Sequence, residues 1–402
     1  MKKITAFWRI ILVLTALIVA GIGLSFLTPF CDWYARHVYA HIANGLGWLT
    51  AGIPFPLGEI LVYIGIVLVL LCLIFLILLP FRRRSNGYLR FAKGWYKAML
   101  MTFAVVLTLY VTNWLIPFRG SVLGQNVRTD KSYSYDEVFT FREYVYKEVN
   151  KAAELVPTDA DGHIIFPEES ERNARMIEAM QAMASEYPLL SGYYPPVKTS
   201  LCSDLLDRMG IGGFTYPYTT EATHVRYSLS PVYQPVLDAH ELSHHKGYYK
   251  ENEADFLALL ALSRSEDPFI RFCGFWEMTY KANLAFDEAE APLLDSLIAD
   301  GSLPRPEDGI QEYAAAVEAL IPLTQPTAKV WQILNESSGV LAEMVENDTR
   351  PLDNMPNVET VVQEVADVGW ETQADVLGEN IYDGAAALLL DYFDGKLYES
   401  GN

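Results

Sequence analysis

Three uninterrupted apolar runs open the chain, and a long stretch of mixed apolar and polar residues follows them. The runs cover roughly Ile4–Leu27, Leu57–Leu79 and Tyr96–Phe118, and none has an acid or base at its centre. Each is long enough for a bilayer, which takes about 20 helical residues. The first run is longer than the apolar core of a signal peptide and lacks a small-x-small cleavage site, so it reads as an uncleaved helix. Residues 119–134, "RGSVLGQNVRTDKSYS", read as a polar linker. Helical periodicity then predicts a helix over about 136–155, with Ser134 and Asp136 as candidate caps, and another over 168–186. A short helix over Ser203–Met209 is closed by "GIGG". The segment "FTYPYTTEATHVRYSLSP", with its alternating run at 223–229, predicts one or two strands. Pro235 suits the first turn of a helix over 235–246. A helical pattern runs from 250 to about 290, with a break near Asp267–Pro268, and further helices follow in an acidic context.

Charge divides the chain at the same place as hydropathy. Of its 402 residues, the first 117 hold ten of the 30 Lys and Arg but only two of the 50 acids, Asp32 and Glu59. That leaves 20 bases against 48 acids, a net −28, for the remainder. So acidic a domain lacks the clustered positive charge that nucleic-acid binding needs. Lys2 and Lys3 precede the first run, and Arg82, Arg83, Arg84, Arg90, Lys93 and Lys97 fill the segment between the second and third, whereas only Arg36 lies between the first and second. The positive-inside bias therefore predicts a cytoplasmic N-terminus and, after three spans, an extracytoplasmic remainder. Trp33, Trp48, Trp95 and Trp114 fall near the predicted interfaces. The four cysteines, Cys31, Cys72, Cys202 and Cys273, are too scattered for a disulfide framework. The expected layout is a membrane anchor over 1–118, a linker over 119–134 and a domain over 135–402, with a helical extension from about 291.

Candidate chemistry concentrates in residues 238–256, "DAHELSHHKGYYKENEADF", which hold three of the seven histidines. His240, Glu241 and His244 form H-E-x-x-H. On a helix, positions i and i+4 share a face, so both imidazoles can point at one metal ion with Glu241 beside it. A catalytic zinc site needs a third protein ligand and keeps a fourth position for water. Gly247 can end the helix and turn the chain back towards the metal. Two acids then compete: Glu251 is the preferred third ligand and Glu253 the alternative. Asp255, four residues after Glu251, shares its face and suits the orientation of a ligating histidine. His245 lies about 100° round the helix from His244, which predicts that it faces solvent or a supporting partner.

H-E-x-x-H followed by E-x-x-x-D resembles the gluzincin metallopeptidases. The stretches "YYPPVKTSLCSDLL", "GIGGFTYPYTTEATHV", "AHELSHHKGYYKENEADFLALLA" and "SEDPFIRFCGF" more closely resemble a bacterial membrane family, domain of unknown function 3810. The resemblance covers about residues 1–290, including the three apolar runs. The family pattern falls on His240, Glu241, His244, Gly247, Glu251, Glu253 and Asp255. This chain departs from it with Ser243 where Ala is common and His245 where Gln is common, and neither is a proposed ligand. The expected fold is therefore a membrane protein with three N-terminal transmembrane α-helices and a mostly α, zincin-like α+β extracytoplasmic domain.

The expected function is zinc-dependent hydrolysis of a peptide or protein substrate at the outer face of the lipid bilayer, with Glu241 as general base. Tyr218, His224, Tyr227 and Tyr248 are candidate oxyanion stabilisers. The strand near 223–229 either offers an edge to an extended peptide or is a core strand. An intramembrane protease is excluded by the neighbours of the motif, Asp238, His245, Lys246 and Lys250, which are not those of an apolar span. The rival reading is a non-catalytic receptor built on a zinc-peptidase-like domain; Glu241, which a pure binding site does not need, argues against it.

Overall fold

The first apolar run forms α1, Ala6–Leu24, in the computed structural model, which describes residues 5–82, 84–120, 123, 132–347 and 384–398. Lys2, Lys3 and Arg83, most of the expected linker, and residues 348–383 of the expected C-terminal extension lie outside the described residues. After α1 the chain does not run as a simple loop to the second run. It forms α2, Thr28–Tyr34, then a π turn at Ala35–Tyr39, then α3, Ala40–Thr50. One face of this strap is buried: Cys31, Ala35, Tyr39, Ala43, Gly47 and Thr50, spaced by about one turn, and the first five of these include three small residues. The opposite face leaves Trp33, Trp48 and Leu49 exposed.

The second run forms α4, Leu57–Arg82, in which only Gly58 and Glu59 are buried. The third begins earlier than hydropathy predicts. Helix α5 starts at Asn86, because Ser85 caps it by accepting the Tyr88 N–H at 3.3 Å, and it ends at Tyr110. Arg90, Lys93 and Lys97 thus stand on a helix rather than in the expected loop. Helix α5 continues through a π turn at Val111–Leu115 into α6, Ile116–Phe118. Among the described residues, three helices are long and apolar enough to cross a membrane: α1, α4 and the helix from Asn86 to Phe118.

The rest of the chain is mostly helical. Helix α7, Tyr135–Glu154, opens on a capping box between Ser134 and Glu137. Helix α8, Glu169–Ala182, follows. A small sheet comes next, and its strands are so short that they carry almost no periodicity: β1, Lys198–Thr199, then α9, Ser203–Arg208, then β2, Gly213–Thr215, and β3, Ala222–His224. Strand β3 is central, parallel to β1 and antiparallel to β2. The strand expected at 223–229 is therefore shorter and is not an edge; Val225 still donates to the Gly212 carbonyl, after which the chain turns at Arg226–Ser228. The edge beside the following helices is β2.

Helices α10, Gln234–His245, and α11, Glu251–Ser263, follow in antiparallel succession, then α12, Pro268–Ala299. The break between α11 and α12 falls where expected, with Asp267 accepting the Ile270 N–H at 2.9 Å. Helix α11 is the centre of the core: Phe256 to Ser263 are all buried. Around it pack α8, α10, α12 and the last described helix. Gly274 lets α12 touch it closely, since a Cβ there would meet the Ser263 nitrogen at 2.5 Å. Helices α13, Ile310–Leu320, α14, Ala328–Glu346, and α15, Gly384–Phe393, complete the described chain, with α14 against α7 and α15 against α11.

A polar seam joins the apolar helices to this body. Glu221 accepts the Leu57 and Gly58 N–H groups at 3.1 and 2.7 Å and pairs with the Lys198 ammonium. Glu59 accepts from Ser200 Oγ at 3.0 Å, from the Leu201 and Cys202 N–H groups at 2.8 Å each, and from the Tyr63 hydroxyl. On the strap, the Tyr39 hydroxyl bonds the His245 carbonyl at 3.0 Å and the Tyr249 hydroxyl at 2.8 Å.

Candidate metal centre

Helix α10 has Pro235 in its first turn, where a missing N–H costs nothing. His240 and His244 fall one turn apart on one face. The helix ends at Gly247, whose φ of +104° suits glycine, and a Cβ there would also press on the Tyr39 ring at 3.0 Å. Gly247 and Tyr248 donate back to the His244 and Ser243 carbonyls, which reverses the chain. Helix α11 then begins at Glu251 and returns alongside α10, with its first turn beside the histidines.

Ligand atoms of His240, His244 and Glu251 all lie within 4.8 Å of one another. Glu251 Oε2 stands 3.0 Å from His240 Nε2 and 3.5 Å from His244 Nε2. The far side of each ring is already committed. His244 Nδ1 lies 2.8 Å from the Tyr248 carbonyl, which can only accept, so Nδ1 carries the proton. His240 Nδ1 lies 2.7 Å from Asp255 Oδ1, and Asp255 Oδ2 is paired with Lys281 at 2.6 Å. In the neutral rings both Nε2 lone pairs therefore face a carboxylate. With both rings neutral, three acceptors converge without a donor, and either a proton on an imidazole or a metal cation can fill the gap. The pocket is partly open, with side-chain exposures of 13% for His240 and 21% for Glu251.

The charge balance also favours positive charge here, carried by the imidazoles themselves. Burial alone would lower the pKa of His240, but hydrogen bonds to Asp255 and Glu251 raise it well above the usual value. Burial likewise opposes the rise at His244, which the Glu251 charge drives. Burial works to raise the Glu251 carboxyl, yet the two histidines hold it far below the ordinary range. Asp255 is also lowered, by His240 and Lys281 against burial. Glu241 differs: burial pushes its carboxyl up, and the charges of His244 and His240 offset only part of this.

Glu241 is buried between α10 and β2. Thr215 Oγ1 donates to its carboxylate at 2.9 Å, and a Cβ at Gly213 would come within 2.5 Å of its Oε1. Strand β2 thus lies directly against the acid beside the histidines. Gly212 C=O and Tyr216 N–H bond towards the β3 side. By antiparallel alternation, the main-chain groups of Gly213 and Thr215 point the other way, outward.

Of the residues singled out by sequence, His240, Glu241, His244, Glu251 and Asp255 come together. Glu253 does not: it pairs with Lys250 at 3.5 Å, away from the imidazoles. Of the two surroundings expected for His245, solvent or a supporting partner, the ring does not face solvent. It is fully buried, its Nδ1 lies 2.7 Å from the Thr220 carbonyl, and burial followed by the Lys246 charge lowers its pKa to about 3. His224 is held between Asp238 at 2.7 Å and Thr199 at 3.1 Å, and Tyr248 is buried in the core, so neither side chain is available to a substrate. Tyr218 lies half-buried in the turn between β2 and β3, and Tyr227 in the turn after β3.

Sequence reasoning missed Thr215, Gly213, Lys281 and Tyr233. The signal for Tyr233 was present: it stands seven residues before His240, two helical turns along the same face. A Cβ at Gly212 would lie 3.9 Å from its hydroxyl, and burial, then the charges of Glu277, Asp255 and Glu241, raise its pKa to about 12.

The family model described as "Protein of unknown function (DUF3810)" matches residues 34–321, and the chain belongs to that family. The match begins within the strap and runs through α13. No curated protein and no solved structure matches the chain.

Proposed function

We propose that this member of the family is a membrane-anchored, zinc-dependent peptidase of zincin-like construction, acting outside the cytoplasm. The observation that carries the reading is the convergence of His240 Nε2, His244 Nε2 and a Glu251 oxygen, with every opposing Nδ1 already bonded. Two imidazoles and a carboxylate are a donor set suited to zinc, and three protein ligands leave a position open. Zinc held there would lower the pKa of water towards neutrality and polarise a peptide carbonyl.

The chain's own residues divide the remaining work. Asp255, backed by Lys281, fixes the His240 ring and keeps its Nε2 directed inward. The Tyr248 carbonyl does the same for His244. Glu241, with one oxygen held by Thr215, takes the proton of the attacking water and passes it to the leaving amine. Strand β2 offers its outward main-chain groups to an extended peptide, and Gly213 keeps that strand close to Glu241. Tyr233 is the favoured donor to the developing oxyanion, ahead of the four candidates drawn from sequence.

The Lys and Arg distribution supports the orientation. Three spans would put the strap and the C-terminal body on one side of the membrane, a layout that their bonds through Tyr39 and Glu221 support. Elemental analysis of the purified full-length chain tests the reading. Zinc is expected at about one per chain, and Glu241→Gln is expected to retain it while losing about 10²–10⁴-fold in peptide cleavage. A chain that takes up no zinc, or a Glu241→Gln variant that cleaves as fast as the parent, overturns it.

A further inference from the structure

The metal centre is not held away from the apolar helices on a stalk. A single aromatic ring separates His244 from the third of them. Tyr249 stacks on His244 with ring centroids 6.1 Å apart, and it also meets Trp114 edge-on at 6.4 Å. Trp114 lies in the last turns of the helix Asn86–Phe118. The sheet is seated equally close to α4. Leu201 and Cys202, just past β1, donate to Glu59 in the first turn of α4. Tyr216, next to the last residue of β2, packs on Gly58, and a Cβ at Gly58 would also meet Thr219 Oγ1 at 2.8 Å. The ligand helix and the edge strand therefore each stand about one side chain above the ends of two candidate spans. Trp48, Phe55 and Leu201, which flank that level, are exposed, as suits residues at a membrane interface rather than in water. Phe214, 47% exposed on the edge strand itself, gives that edge an apolar contact.

We infer that the substrate is the membrane-proximal segment of a polypeptide that is itself anchored in the bilayer, cut within a few residues of where it leaves the lipid. This rests on the peptidase reading above and adds a geometry to it. An extended segment rising ~3.3 Å per residue reaches the level of β2 soon after it emerges from the lipid. A cleavage sequence carried far above the surface must bend back down to reach the edge strand, and a folded domain beneath it forbids that.

The experiment uses the full-length zinc-loaded chain in proteoliposomes with reporters built on one transmembrane helix. In one reporter an unstructured test segment follows the helix directly. In a second, the same segment is lifted off the membrane by a folded domain about 30 Å across. A third probe is the test segment as a free peptide. Both anchored reporters share the bilayer with the enzyme, so co-localisation is equal and only height differs. At least about tenfold faster cleavage of the first reporter than the second is expected, a ratio that corresponds to about 1.4 kcal/mol. Equal rates for the two, with the free peptide also cut, leave the peptidase reading intact and overturn this inference. No cleavage of any probe overturns both.

Discussion

The carboxylates of the seam and the carboxylate that faces the two histidines are built in opposite ways. At the seam, Glu59 and Glu221 are surrounded by donors: backbone N–H groups of Leu57, Gly58, Leu201 and Cys202, the Ser200 hydroxyl and the Lys198 ammonium. Their lone pairs are filled by the chain itself. At the candidate metal centre, Glu251 faces two imidazole nitrogens, and the other nitrogen of each ring already has a partner. The physical difference is the sign of what surrounds the charge. A buried anion ringed by donors is complete and acts as a joint. A half-buried anion aimed at lone pairs is incomplete until a proton or a metal cation arrives.

The widest separation between the two regions is expected from one substitution made at each. Glu251→Gln should take zinc from about one per chain to near zero while leaving a cooperative unfolding transition. Glu221→Gln should keep the zinc but lower stability by about 3–5 kcal/mol, because Lys198 is left buried without its counter-charge. Elemental analysis and denaturant unfolding of both variants make the comparison; loss of zinc in both would erase it. A smaller effect is expected from Asp255→Asn, which keeps the shape but weakens the hold on His240. Zinc affinity, measured by competition with a chelator, should fall about 10–100-fold. An unchanged affinity would mean that packing alone orients that ring. The smallest effect belongs to Tyr249→Phe. It removes the bond to Tyr39 but keeps the ring against His244, so a loss of about 1 kcal/mol in stability with unchanged zinc stoichiometry is expected. Loss of zinc there would show that the strap holds the ligand directly.

Much of the site was legible because it is local. The i, i+4 spacing of His240 and His244, Pro235 at the helix start and Gly247 at its end act within one or two turns, where periodicity dictates geometry. The preference for Glu251 over Glu253 used the same rule, since Asp255 shares a face with the former, but the rule did not settle it. The strap at Thr28–Thr50 was not legible as a partner of the site. Its buried face is made of small residues and one tyrosine, whose value depends on His245 and Tyr249 some two hundred residues away. The segment from Phe214 reads as one or two strands and holds two, but which of them is the edge was not legible, because three residues carry no usable alternation, and β3 was drawn too long for the same reason. For His245 the choice between solvent and a partner stayed open because helical angle tells which way a side chain points but not what stands there; Gly47 and Thr220 close over it.

By itself the sequence determined the three apolar helices, the helical character of the rest and the pair of histidines with Glu241. Hydropathy over 20 residues and spacing over four are properties of the chain alone. Only the tertiary structure decided that Glu251 completes the cluster, that Asp255 and Lys281 stand behind His240, and that β2 rather than β3 flanks Glu241. The same holds for the position of the site directly above the ends of the apolar helices. Each of these is a contact between segments that the sequence keeps apart, and such contacts are settled by packing and by the need of buried charges for partners.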